Sequence, residues 1–329
     1  MPESVRRIVA EEMESAAAQL DGAESTNREE AIHEARKSVK KTRALLRLVA
    51  TELGDVRAKE NTRLRDAGRK LSELRDAGAI VGTFDDLRAA YPKERGVAAL
   101  ETIRAGLVTR RDQAMDQAGV DARLKTMAKS FRGMTKRLKS WPLETDGFAA
   151  IKDGLEASFR AGRRAMARAR KRSRAENFHE WRKRAKDHWY HIRLIEPLWS
   201  DVMQAYEKSL KELETCLGDD HNLVVLREKL TSEPDLRAND KAAALAIRLI
   251  DRRQKELRRN ALALGARIYG EEKPREFTRR MKRLWDAWQA APKSLQVAEE
   301  AAQAQAAPPK KGAASRASRH KAASAGTAA

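Results

Sequence analysis

The sequence predicts an all-α fold, and three observations support this prediction. Ala, Leu and Arg dominate the 329 residues, and good helix formers at this density are typical of packed helices. Aromatic residues make up only 5% of the chain and glycines number 17, which disfavours a sheet-rich fold. No alternating strand pattern competes with the helical periods. The length is sufficient for two domains of ordinary size.

Glycine and proline residues divide this helical sequence into elements. Proline cannot continue a helix, and Gly-Asp pairs favour turns. We therefore expect breaks at Asp21-Gly22, Gly54-Asp55, Tyr91-Pro92, Trp141-Pro142, Glu196-Pro197, Gly218-Asp219, Pro234 and Lys273-Pro274.

An internal repeat links the two parts of the chain. Residues 32–37 (IHEARK) match residues 178–183 (FHEWRK) at an offset of 146 positions. The offset then holds without a gap for some 45 residues, pairing Lys40 with Lys186, Arg47 with Arg193 and Arg65 with Lys211. One register kept this long predicts two copies of one helical unit, residues 4–140 and 148–290, joined through residues 141–147.

A cationic stripe follows each of the two repeated histidines. On a helical wheel, basic residues of the first copy fall within about 80° of the first histidine. The opposite flank is apolar, so each helix has one face to bury and one charged face. The stripes comprise His33, Arg36, Lys37, Lys40, Arg43 and Arg47, and then His179, Arg182, Lys183, Lys186, Tyr190 and Arg193.

Like charges at this spacing destabilise an isolated helix, and the stripes themselves hold no acid. A solvated face is the ordinary interpretation of a charge run, but such faces usually mix Glu with Lys. The unmixed sign and the repetition favour binding of a polyanion. Arg65, Arg69 and Lys211 join the candidate site only through their place in the repeat.

Charge and composition further limit the function. Lys and Arg number 68 against 48 Asp and Glu, a net charge of +20. The single cysteine indicates no disulfide, and no apolar run resembles a signal peptide or a membrane span. We expect a cytoplasmic protein without a membrane partner. Residues 298–329 lack apolar residues larger than Ala and Pro, which predicts a disordered basic tail.

Metal and cofactor sites find no support in the sequence. His33-Glu34 lacks the second histidine of a zincin motif, and one cysteine cannot build a thiolate cluster. The cations beside His33 and His179 favour neutral imidazoles, which can donate hydrogen bonds to an anion. We expect no metal and no cofactor, and we expect His188, His191 and His221 to be structural.

The motif His-x-x-Arg-Lys-x-x-Lys at His33 and at His179 resembles the CHAD (conserved histidine α-helical domain) family. Residues 71–76 (LSELRD) and 217–222 (LGDDHN) extend the resemblance, which covers about residues 4–290. It implies two pseudo-symmetric four-helix bundles around a basic central cavity that binds inorganic polyphosphate, often at polyphosphate granules. By position, the lining corresponds to the two stripes. The later arginine of the motif, Arg43, is replaced by Trp189 in the second copy, so the lining is expected to be asymmetric there.

Binding without catalysis is therefore the function that we predict. Family members also occur fused to a tunnel-shaped triphosphatase domain, but no strand-rich segment or Glu-x-Glu-x-Lys signature precedes the first helix here. Neither stripe carries an acidic cluster of the kind that metal-dependent phosphoryl transfer would need. A nucleic-acid-binding helical protein is the alternative, because a high isoelectric point and a basic stripe also indicate that function.

Overall fold

The computed structural model describes residues 1–23, 27–115, 119–237 and 240–294, and these ranges contain helices and no strand. The all-α prediction is confirmed. The proposed disordered tail, residues 298–329, lies outside the described residues. The helices are α1 (Pro2–Asp21), α2 (Arg28–Leu48), α3 (Ala50–Ala90), α4 (Glu101–Met115), α5 (Val120–Arg137), α6 (Ala149–Lys171), α7 (Ala175–Leu194), α8 (Ser200–Ser232), α9 (Asp240–Tyr269) and α10 (Pro274–Ala290).

Most of the predicted breaks coincide with helix ends. Helix α1 ends before Gly22, α3 ends before Tyr91, and α10 begins at Pro274. The proline suits the first helical position because its missing N–H has no helical partner there. Within α3, Gly54 has φ of +47°, a left-handed conformation that glycine adopts at little cost, and it kinks the helix where a break was predicted.

The predicted break at Gly218-Asp219 is wrong, because α8 runs through it without interruption. Gly218 faces α7, and a Cβ at this position would lie 3.4 Å from Nε of Arg182. Leu217 and Leu223, on either side, are buried in the two cores. Packing against α7 and the cores therefore outweighs the roughly 1 kcal/mol by which glycine disfavours a helix.

The order of helices repeats at the predicted offset. Shifting the bounds of α2 by 146 positions gives 174–194, against Ala175–Leu194 for α7. Two side-chain contacts repeat as well. Arg43 Nε donates to Asn61 Oδ1 over 3.0 Å, and at the equivalent positions Trp189 Nε1 donates to Glu207 Oε1 over 3.0 Å. The repeat therefore extends from sequence to local geometry, while the superposition of whole bundles and their boundaries stays a prediction.

Two hydrophobic cores hold the molecule together, and both draw on the two halves. The larger core joins α1, α2 and α5 to α6, α7 and α10, with Phe159 and Phe277 stacked at 4.4 Å inside it. The smaller core packs the C-terminal halves of α3 and α8 with α4 and α9. Each of these cores therefore contains residues of both halves.

Two histidines of α7 are part of the larger core. His188 Nδ1 lies 3.1 Å from the hydroxyl of Tyr269, and His191 Nε2 donates to the carbonyl of Ala44 in α2 over 2.8 Å. Burial lowers the pKa of His188 to about 3 and that of His191 to about 4. Both imidazoles are therefore neutral at physiological pH and serve packing, as predicted.

The linker between the halves, residues 141–147, is fixed against the fold. Trp141 and Leu143 are buried. The guanidinium of Arg6 in α1 donates to the carbonyl oxygens of Trp141 and Leu143 over 3.0 and 3.2 Å. Glu52 accepts a hydrogen bond from the Thr145 hydroxyl. These contacts make the linker a packed element of the structure.

A glycine in α9 tests the close packing of the second half. A Cβ on Gly265 would lie 2.4 Å from Cζ2 of the fully buried Trp181, so Gly265→Ala must displace an aromatic ring. We expect the free energy of unfolding to fall by about 1–3 kcal/mol, the usual cost of overpacking.

The matched control for this test is Gly133→Ala in α5. Its Cβ would meet only Arg137 Nη1, at an ordinary 3.6 Å. The control should gain about 0.5–1 kcal/mol of helix propensity. Urea unfolding followed by far-UV circular dichroism measures both variants, and equal stability of the two would contradict the packing described here.

Candidate functional site

A cavity of about 630 Å³ lies between α2, α7 and α8. It opens along the charged faces of the two histidine helices. Helix α2 supplies three of the lining side chains, α7 supplies five, and most of the others come from α8. The lining consists of His33, Lys37, Lys40, Arg182, Lys186, Trp189, Tyr190, Arg193, Glu196, Glu207, Lys211, Glu214, Thr215, Gly218, Asp219 and Asn222.

The structure brings part of the predicted site together at this cavity. The predicted residues that line it are His33, Lys37, Lys40, Arg182, Lys186, Tyr190, Arg193 and Lys211. The predicted residues that do not line it are Arg36, Arg43, Arg47, Arg65, Arg69, His179 and Lys183. Both stripes therefore contribute to one shared space, through one face of each helix.

Most of the predicted residues away from the cavity have partners on neighbouring helices or turns. Arg47 Nη1 lies 3.1 Å from Oδ1 of Asp187 and so joins α2 to α7. Arg65 and Arg69 are largely exposed and contact Asp66 on their own helix. Lys183 pairs with Glu180 one turn earlier. A direct role of these residues in binding stays a prediction.

One buried carboxylate organises the cations of the second half. Glu214 of α8 accepts from Lys186 Nζ over 2.8 Å and from Lys211 Nζ over 2.9 Å, and Arg182 Nη2 lies 3.6 Å away. Its side chain is only 5% exposed. Despite burial, the three cations lower the pKa of Glu214 to about 2. The carboxylate therefore stays charged over the physiological range.

The stripe of the second half holds no acid of its own, and the compensating carboxylate, Glu214, lies on the neighbouring helix. In the sequence it is visible only as the ordinary i,i+3 partner of Lys211. A single carboxylate nevertheless serves three cations. Burial, together with the nearby charges of Arg182 and Lys211, lowers the pKa of Lys186 in spite of its contact with Glu214. The single carboxylate of Glu214 therefore does not fully neutralise Arg182, Lys186 and Lys211.

The charges that line the cavity are mixed, with an excess of cations. Among its described lining residues are six Lys or Arg side chains and four carboxylates. Glu207 lies 3.2 Å from Arg193 Nε, and burial raises the pKa of Glu207. Burial raises the pKa of Asp219, and Asp86 adds to the effect. The net charge of the lining is about two positive units when His33 is neutral.

Trp189 makes the lining asymmetric, as the departure from the motif predicts. It lines the cavity, whereas Arg43, its equivalent in the first half, does not. Three cations lie near its ring, at 4.8 Å for Lys211 Nζ, 5.4 Å for Arg193 Cζ and 5.9 Å for Lys186 Nζ. Cation–π attraction therefore adds to Glu214 in holding these cations together.

The two repeated histidines lie in different surroundings. His33 lines the cavity, whereas the ring of His179 packs against His221 of α8 with centroids 4.1 Å apart. Burial lowers the pKa of His179 most strongly, and the positive charges of Lys183 and Arg182 lower it further. Burial and the neighbouring His179 lower the pKa of His221 to about 4. No pattern in the repeat connects His221 with His179, because the first-half counterpart of His221 is Arg75.

A second cationic groove of about 360 Å³ lies between α6 and α7. Arg160, Arg164 and Arg168 line it along α6, and Arg184 lines it from α7 beside Glu180. It shares no lining residue with the larger cavity. The basic face of α6 is therefore separate from the cavity between α2, α7 and α8.

Within the described part of the chain, no group of three or more His, Cys, Asp or Glu side chains could hold a metal ion. None of the described helices combines the length and the apolar character that crossing a membrane requires.

The fold and this cavity define a class of protein, an all-α repeat protein with histidine-led cationic helices around a shared cavity. A family model described as the CHAD domain matches residues 7–231, about two thirds of the chain, and the chain belongs to this family. The match begins near the predicted start and ends within α8, so α9 and α10 lie beyond it. A comparison with curated proteins found no match.

The role of Glu214 predicts a specific dependence of stability on pH. Its pKa in the folded state lies below the ordinary value of 4.5, so its contribution to stability is complete above about pH 5. The contribution is lost as the pH falls towards 2. Glu214→Gln should lower the free energy of unfolding by about 3 kcal/mol near pH 7, and by much less at pH 2.

Chemical denaturation at a series of pH values measures this difference. Glu228→Gln is the control, because Glu228 is an exposed carboxylate on the same helix. A Glu214→Gln variant whose deficit stays constant from pH 7 to pH 2 would show that the charge of Glu214 does not stabilise the fold.

Proposed function

We propose that this protein binds inorganic polyphosphate in the cavity between α2, α7 and α8, without catalysing a reaction on it. Its family is associated with polyphosphate binding. The observation that carries the proposal is the convergence of six Lys and Arg side chains from three helices on one cavity. A chain of phosphates has no bases to recognise, so Lys, Arg and His donors along a groove suffice to bind it.

The excess of positive charge in the cavity lining supports an anionic ligand. Lys186 is half-buried beside two other cations and shares Glu214 with them. On the other wall, Lys40 and His33 of α2 line the same space. A bound phosphate chain would supply negative charge to both walls and lower the mutual repulsion of the cations.

Nucleic acid is the alternative ligand, and the aromatic residues of the cavity do not favour it. Base stacking needs an accessible aromatic face. Trp189 is only 7% exposed, and its ring lies 4.7 Å from that of Tyr190. Displacement of one labelled polyphosphate by unlabelled polyphosphate, duplex DNA or RNA at a fixed salt concentration compares the ligands. Equal competition by DNA would favour the alternative.

Two of the four carboxylates that line the cavity support binding without catalysis. Metal-assisted phosphoryl transfer uses carboxylates that are free to hold a cation. Here Glu214 contacts three basic side chains, and Glu207 contacts Arg193 and Trp189. Phosphate release from polyphosphate in the presence of magnesium would contradict this part of the proposal.

We further propose that the protein acts in the cytoplasm, at polyphosphate granules.

Salt dependence tests the electrostatic mechanism. Binding of a polyanion releases counterions, so the logarithm of the affinity should fall linearly with the logarithm of the salt concentration. Lys40→Gln together with Lys211→Gln removes one cation from each wall. The double variant should bind more weakly, with a slope that is shallower by about 2.

The control for this test is Lys125→Gln together with Lys129→Gln, which removes the same charge from the exposed face of α5. The control should keep nearly the wild-type slope. Identical behaviour of the two double variants would show that net charge alone, without the cavity, explains binding.

The position of His33 predicts a pH effect on binding. An anion bound beside an imidazole favours its protonated form, so binding takes up a proton and affinity should rise as the pH falls from about 8 to 6. His33→Ala should lose most of this response and weaken binding by about 0.5–3 kcal/mol. His179→Ala should keep the response, because that ring packs on His221. Calorimetry at several pH values measures each variant, and a response lost only in His179→Ala would place the phosphate elsewhere.

A further inference from the structure

The groove between α6 and α7 is strongly cationic. Its charged lining residues are Arg160, Arg164, Arg168, Arg184 and Glu180. The first and the last of these arginines pair with glutamates of their own helices. Arg164 and Arg168 are exposed, and neither makes an ion pair with any residue that the structure describes. The groove therefore holds two guanidinium groups, one helical turn apart, that no carboxylate of the described chain neutralises.

The arginines of α6 do not follow from the packing that the two halves share. At the offset of 146 positions, the buried Phe159 of α6 corresponds to the buried Met13 of α1. The two helices thus repeat a buried apolar position. On the groove face the counterparts are acidic or uncharged, because Glu14, Ala18 and Gly22 stand where α6 has Arg160, Arg164 and Arg168. The cationic row is therefore a property of the second half alone.

The helix dipole accounts for only part of this row. Cations in the last turn of a helix are favourable, because they lie near its negative end. Arg168 lies in the last turn of α6, but Arg164 and Arg160 lie one and two turns earlier. Like charges four residues apart repel each other and disfavour the helix. An anion bound along the row would relieve this repulsion.

The other lining residues of the groove favour a phosphate chain as that anion. Among the described lining residues, Ala157 and Ala161 are the only apolar ones. The lining therefore offers neither aromatic faces for nucleic-acid bases nor large apolar side chains that anchor a protein partner. Guanidinium groups match phosphate oxygens with two parallel hydrogen bonds. They recur about every 6 Å along α6, so the donors repeat in one direction as phosphates do along a chain.

We propose that this groove is a second polyphosphate-binding site, so that one molecule holds two segments of phosphate chain at once. This inference rests on the proposed binding of polyphosphate in the cavity. The two sites lie on opposite faces of α7, because Arg184 lies about 160° around the helix from both Arg182 and Lys186. They share no lining residue, so a ligand in one site leaves the side chains of the other available.

Calorimetric titration with linear tripolyphosphate, a short probe, counts the sites. Wild type should bind about two molecules of the probe per chain. Arg164→Gln together with Arg168→Gln should reduce this number to about one, because the variant removes the two cations that lack a carboxylate partner in the described chain. Both positions are exposed, and an unchanged far-UV circular dichroism spectrum checks the fold.

The matched control is Lys125→Gln together with Lys129→Gln. These lysines are exposed on α5 and lie four residues apart, as the two arginines do, so the control removes the same charge at the same spacing. It should keep both sites. A control that also loses one site would show that net charge, and not the groove, sets the number.

Lys40→Gln together with Lys211→Gln weakens the cavity and leaves the groove as the main site. In this variant, unlabelled polyphosphate should displace labelled polyphosphate at least tenfold better than duplex DNA does at the same concentration of phosphate groups. Equal displacement by DNA would assign the groove to nucleic acid and overturn the proposal.

The outcomes separate this inference from the proposed function. A wild-type protein that binds neither tripolyphosphate nor long-chain polyphosphate would refute both. An equal number of sites in wild type and in the Arg164→Gln, Arg168→Gln variant would overturn the second site and leave the proposed function standing. A single site in wild type that this variant loses would place the phosphate in the groove and overturn the proposed binding in the cavity.

Discussion

The packing of two cationic helices against each other is the constraint on which the rest of the structure depends. Helices α2 and α7 carry like charges on corresponding faces, and repulsion between them opposes their approach. Their apolar flanks are buried in the larger core, which supplies the main attraction. Asp187 then joins α7 to Arg47 of α2, and Glu214 holds three cations from the side of α8. Burial raises the pKa of the Asp187 carboxyl. The positive charge of Arg47 opposes this effect and favours the charged carboxylate.

The features that sequence predicted are those that local patterns determine. The all-α fold class follows from composition and periodicity, and most helix breaks follow from the positions of Gly and Pro. The internal repeat is visible as matching residues at a constant offset. The errors and omissions all involve contacts between helices. Gly218 stays helical because of its neighbours, Glu214 reaches cations on another helix, and His221 meets His179 across α7 and α8. Such contacts depend on how helices are placed, which no local pattern contains.

The two halves share a plan and differ in their cavity chemistry. The second half provides Trp189, Tyr190, Glu207 and Glu214, whereas the first half contributes two lysines and a histidine. Aromatic rings and carboxylates fix the second wall through cation–π contacts and ion pairs. A cavity built from near-equivalent helices thus combines one preorganised wall with a simpler cationic one.

The sharing of both cores between the halves has a consequence for the history of the chain. A polypeptide that ended at residue 140 would expose the faces of α2 and α3 that now pack on α6, α7 and α8. A second copy of the same unit would present equivalent faces and could cover them. In this arrangement a homodimer is the simplest ancestor, and joining its two subunits would let each change without the other.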